Sequence, residues 1–166
     1  MLGLDEIVAL VTATGKAVDI FDKISGQIKS VLLGRPKEDE GDEERWSRKI
    51  SAEGDKLVVK QDKREIQTIT ADELKKLPAE YLGHIQTYEA RMERNYRVWQ
   101  RLYLKKDASP DEKVNALVDE QLVDQVRLMK SDLTAIIGFL QKIGLWLDDH
   151  YMQVRDLVEN VPDRKP

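Results

Sequence analysis

Asp148-Asp149-His150 sets two carboxylates beside an imidazole, the residue types of a metal site or an acid–base pair. On a helix, adjacent residues point about 100° apart, so these three cannot converge on one ion. The other histidine, His84, is expected opposite the region near Asp132, far from His150; both read as surface or boundary residues. The chain has no cysteine, which excludes disulfides, zinc–thiolate sites and thiol catalysis. No G-x-S-x-G, P-loop, dinucleotide-binding glycine pattern or H-E-x-x-H occurs. Carboxylate pairs such as Asp119 and Glu120 lie on a face that reads as solvated. The expectation is a non-enzyme with no catalytic residue, no metal site and no cofactor.

A second constellation is basic and aromatic. Arg91, Arg94, Arg97, Arg101 and Lys105 form a strip on a segment that also carries Tyr96, Trp99 and Tyr103. Such a mixture can grip phosphates and stack bases. Here the aromatics fall mostly on the core seam, and Glu89 and Glu93 offer counter-charge. The formal net charge of −4 also argues against a dedicated nucleic-acid binder. Nucleic acid is therefore the least favoured partner, and a solvated face the plainer reading.

These residues need elements to hold them. Leu4 to Leu33 reads as one helix, with Ile7, Val11, Val18, Phe21 and Ile28 on an apolar stripe and Asp19, Asp22, Lys23 and Lys29 on the wet side. Gly34-Arg35-Pro36 supplies a C-cap glycine followed by a proline. Gly15 and Gly26 weaken the helix, or mark where another helix comes close. Residues 35–45 form an acidic run without an apolar side chain from Lys37 to Arg45, a linker. Residues 46–70 are the β-like region: 56–61 and 64–69 flank Asp62-Lys63 as a hairpin, a poorer turn than Asn-Gly. Trp46 to Ala52 reads as a third strand or as a short helix ended by Gly54.

Thr70-Ala71-Asp72-Glu73 is a capping box opening a short helix that ends near Leu77. Pro78 restarts a longer helix to about Lys106, with a seam of Tyr81, Ile85, Tyr88, Met92, Asn95, Trp99 and Leu102. Asn95 is its one polar member and would fix register. Ser109-Pro110-Asp111-Glu112 then reads as cap and first turn of a single helix running to Val161. Its seam includes Leu122, Val126, Met129, Leu133, Ile136, Leu140, Ile143 and Leu147, with Trp146 beside it. The predicted fold is mainly α, one domain over residues 1–166. It is a helical bundle with a long antiparallel helical hairpin, 71–106 and 109–161, and a small inserted β-hairpin. Because the second arm is longer than the first, its end from Ile143 to Val161 needs other cover, and the N-terminal helix is the candidate. Gly138 and Gly144 offer a bend or close crossing there.

The stretch from Leu4 to Val18 (Leu-Asp-Glu-Ile-Val-Ala-Leu-Val-Thr-Ala-Thr-Gly-Lys-Ala-Val) resembles the opening helix of HeLo-like domains, over residues 1–33 only. Those are helical-bundle cell-death modules whose first helix is held to act on membranes. The resemblance implies a first helix that leaves its bundle for a lipid surface, carrying Ile7, Val11, Val18, Phe21 and Ile28 with it.

Three functions stay open. The first is a non-catalytic protein-interaction or self-assembling module, with Leu133, Ile136, Leu140, Ile143, Trp146 and Leu147 as core or interface and a second copy of the chain as the favoured partner. The second is a membrane-active bundle. The third is a binder of nucleic acid or an anionic partner through Arg94, Arg97 and Arg101. Acids at the N-terminus and the lack of a long uncharged apolar run suit a cytoplasmic protein, at most peripheral to a membrane.

Overall fold

A computed structural model of the chain describes residues 2–34, 49–108 and 111–162. Among these it forms five helices and one three-stranded antiparallel sheet, a mainly α bundle with a small β element. The helices are α1 (Leu4–Leu33), α2 (Ala71–Leu74), α3 (Glu80–Ala108), α4 (Glu112–Lys142) and α5 (Asp149–Glu159). The strands, β1 (Lys49–Glu53), β2 (Lys56–Gln61) and β3 (Arg64–Ile69), lie in the order β1-β2-β3. The predicted linker 35–45, Trp46, and the predicted cap Ser109-Pro110 lie outside the described residues.

The centre of the bundle is α1. It packs against α2, α3, α4, α5, β1 and β2, so its apolar stripe is enclosed rather than merely covered. Ile7, Val11, Val18, Phe21 and Ile28 are all buried in the core. Thr14 is buried with them and donates to the Leu10 carbonyl at 2.7 Å, which satisfies its hydroxyl inside the helix. At Gly15 the sheet comes close: a Cβ there would stand 2.7 Å from Ala52 Cβ. The close approach is there, but its partner is a strand and not the expected helix. Gly34, in the left-handed region at φ 67°, caps the helix as predicted.

Segment 49–53 adopts the strand alternative, pairing Ile50 with Val59 and Ala52 with Leu57. Ile50, Leu57, Val59 and Ile69 are buried, which gives the small sheet its apolar support. Its second turn holds both Asp62 and Lys63 at positive φ, 52° and 67°, the conformation that favours Asn-Gly.

Along the hairpin of α3 and α4 the predicted seam is in place. Ile85, Met92 and Trp99 are buried on one arm, and Leu122, Val126, Met129, Leu133, Ile136 and Leu140 on the other. Gln125 Nε2 donates to Asn95 Oδ1 at 3.2 Å and to its carbonyl at 3.3 Å, so the polar seam residue has a specific mate.

Two expectations about the second arm are corrected. Its cap is Asp111, whose carboxylate accepts from the Lys113 amide at 2.9 Å. The helix also does not run to Val161. It ends at Lys142; Gly144 takes φ 89°, and Asp148 caps a separate helix, α5, by accepting from the Tyr151 amide. A left-handed glycine followed by a capping carboxylate stops one helix and starts another. The arms therefore match, 29 residues against 31, or about 43 and 46 Å, and no seam overhangs. Ile143, Tyr151 and Val154 are still buried, because α5 folds back on α4 and α1.

Candidate functional site

Folding α5 against α1 encloses part of the helix face that the sequence marked as wet, leaving Asp19 and Lys23 exposed as an ion pair. Lys29 is only 4% exposed, and Asp22 is half-buried. Asp22, Ser25 and Lys29 follow one another at helical spacing, and α5 supplies their partners. The Tyr151 hydroxyl donates to Asp22 Oδ1 at 2.6 Å, while its ring stacks on Phe21 at 4.9 Å between centroids. Lys29 Nζ donates to Gln153 Oε1 and to His150 Nδ1, both at 2.9 Å. His150 Nε2 lies 2.8 Å from Ser25 Oγ, and Ser25 Oγ donates to the Asp22 carbonyl at 3.3 Å.

Burial pushes the Asp22 carboxyl up to about 7, with Asp19 and Asp148 adding repulsion; the Tyr151 hydrogen bond and Lys49 oppose the shift. Burial likewise pushes the Tyr151 phenol well up, and the facing Asp22 adds to it. Near neutral pH this contact holds a carboxyl that changes charge, in a molecule whose other acids are mostly solvated.

A serine within reach of a histidine invites comparison with a hydrolase dyad, and the wiring opposes it. Lysine offers only donors, so His150 Nδ1 must accept and Nε2 carries the proton. Nε2–H then donates to Ser25, the reverse of a base that takes the hydroxyl proton. Ser25 is also buried. The cluster is a clasp between α1 and α5. In the sequence Asp22 and Lys29 look solvent-facing, which hides the clasp; polar residues repeating along one helical line are the signal for it.

The basic strip takes a different place. Arg91, Arg94, Arg97, Arg101 and Lys105 are all exposed on α3, with Arg91 paired to Asp132 at 3.3 Å and Arg97 to Glu93 at 3.2 Å. Of its neighbouring aromatics, Trp99 is buried and donates from Nε1 to Gln27 Oε1 on α1 at 2.6 Å; Tyr103 stacks on it. The stripe aromatics thus serve the core, and the cations stand apart from them.

Beside those cations lies an unexpected apolar row. Asn95 and Gln125 face each other across the hairpin. At about 100° per residue, Trp99 and Met129 turn toward α1, while Val98, Leu117 and Leu128 turn about 60–80° the other way. These three are 42%, 62% and 66% exposed. Arg94, Arg101 and Lys105 flank the row on α3. On α4, Asp119, Glu120, Asp124 and Arg127 line a surface cleft with Val123.

Of the predicted interface residues, Leu133, Ile136, Leu140 and Ile143 are core, Leu147 is half-buried, and Trp146 is 57% exposed. Trp146 sits in the loop between α4 and α5. Gln67 pins that loop to β3, donating to the Gly144 carbonyl at 2.8 Å and accepting from the Trp146 amide at 3.0 Å. Among the described residues no group of His, Asp or Glu is placed to hold a metal ion, and no helix is long and apolar enough to cross a membrane. No family model, curated protein or solved structure matches the chain.

Proposed function

We propose that the chain is a non-catalytic protein-interaction module that docks a partner on the face of the α3–α4 hairpin turned away from α1. The observation that carries this is the exposed row of Val98, Leu117 and Leu128 on one face of the two helices, with Leu104 exposed separately on the outer side of α3. Large aliphatic side chains grouped on one face, rimmed by charge, are the ordinary composition of a protein-binding patch. Trp146, on its pinned loop, offers a second anchor of the type that dominates binding energy. With arms of 29 and 31 residues, no overhanging seam is left for a second chain to cover.

Affinity capture comparing the wild-type chain with Leu117→Glu/Leu128→Glu tests the proposal. Proteins retained by the wild type and lost with the double variant support it; identical retention by both contradicts it.

The membrane-active alternative has weaker support. It requires Ile7, Val11, Val18, Phe21 and Ile28 to leave the centre of the core, at about 1.5–3 kcal/mol for each buried side chain. That sum approaches the whole stability of an ordinary domain. Dye leakage from anionic vesicles, with and without residues 1–34, separates this alternative from the first.

A further inference from the structure

The hairpin face is not uniform. Its α3 rim is basic, with Arg94, Arg101 and Lys105, while its α4 rim carries Glu120 and an Asp124–Arg127 ion pair beside a cleft that Asp119 also lines. A surface that is apolar along the middle, basic on one edge and acidic on the other complements a rotated copy of itself. We propose that the partner of this face is a second copy of the chain, docked about a two-fold axis parallel to the helices. In that arrangement α3 of each copy lies on α4 of the other, and the two hairpins make a four-helix stack. This inference rests on the protein-interaction reading above and names its partner.

Register supports the pairing. Asn95 lies level with Gln125, and Arg91 with Asp132. Stepping along the two antiparallel arms from these pairs brings Arg101 level with Glu120 to within about one or two residues, and Arg97 level with Asp124. Rotation about an axis along the helices keeps those levels, so Arg101 of one copy meets Glu120 of the other, twice per dimer. On the same levels Leu117 of one copy lies over Lys105 of the other and Leu128 over Arg94, so the methylene stems of those cations cover the leucines. Arg97 and Asp124 already hold Glu93 and Arg127 within the chain, and these four charges join at the rim. The area is also sufficient. A face about 43 Å long and about two helices, or 20 Å, wide approaches the roughly 800 Å² per partner of a standard interface.

The test is a charge exchange on the full chain, followed by sedimentation equilibrium. The wild type is expected to dimerise with rising concentration. Arg101→Glu and Glu120→Arg each put like charges together and are expected to weaken the dimer about tenfold. Mixing the two variants makes both 101–120 contacts of the unlike dimer complementary and is expected to recover association between unlike copies. Leu128→Lys, which sets a cation against Arg94 of the other copy, should abolish it, and because these positions are exposed, thermal melting should show all three variants folded. A wild type that stays monomeric throughout overturns the inference, as does a dimer indifferent to both reversals or a mixture with no recovery. A monomer that still retains some other protein through Leu117 and Leu128 would overturn the self-docking while leaving the protein-interaction reading in place.

Discussion

Tyr151 holds Asp22 by a 2.6 Å hydrogen bond while its ring lies flat on Phe21, so one side chain joins α5 to α1 by both polar and apolar contact. The carboxyl it holds titrates at about 7, against 3.8 in a solvated chain. The folded state therefore binds this proton more tightly than the unfolded state. Its contribution is fully present below pH 3.8 and is lost as pH rises through 7.

Urea unfolding at pH 5, 6, 7 and 8 should accordingly show the wild type losing stability relative to Asp22→Asn, on the order of 1 kcal/mol per pH unit up to neutrality. Asp19, Asp148 and Lys49, which surround Asp22, are the same in both proteins. Parallel stability curves for the two would refute the assignment.

The approach of β1 to α1 at Gly15 predicts a size-dependent cost. Gly15→Ala places a methyl 2.7 Å from Ala52 Cβ and should destabilise by about 1–3 kcal/mol, despite alanine's better helix propensity. Ala52→Gly in the same chain should return most of the loss. Melting temperatures of the two single variants and the double variant measure it; a Gly15→Ala variant as stable as wild type would show that the sheet yields.

Asp132 is 3% exposed, and burial pushes its carboxyl above the usual range while Arg91 pulls it back. Arg91→Ala should leave that carboxylate buried without its cation and cost about 2 kcal/mol at neutral pH. Adding Asp132→Asn should relieve much of this. Denaturant midpoints at pH 7 check both, and a silent Arg91→Ala would mean solvent alone suffices for Asp132.

Much of this fold was legible because burial follows period. The α1 stripe, the α3 and α4 seams, the Thr70 capping box and the Asn95 register residue all sit where spacing put them. The break after Lys142 was hidden because Ile143 and Leu147 continue the heptad count across a turn. Gly144 and Asp148, four residues apart, were the opposing signal, a helix stop followed by a helix start. Missing that break also hid the clasp, since only a returning α5 can reach Asp22, Ser25 and Lys29. The exposed row was invisible for a different reason. Val98, Leu117 and Leu128 lie off both seams, and composition alone does not say which apolar residues a fold leaves in water.

That the outer hairpin face docks a second copy of the chain is the central claim, and solution mass tests it most directly. Multi-angle light scattering of the full chain over rising concentration should show the 19.1 kDa monomer moving toward twice that mass. Leu117→Lys/Leu128→Lys, which sets cations against Lys105 and Arg94 of the other copy, should remain at the monomer value throughout. A wild-type mass that never leaves the monomer value, with the double variant indistinguishable from it, would contradict self-docking on this face.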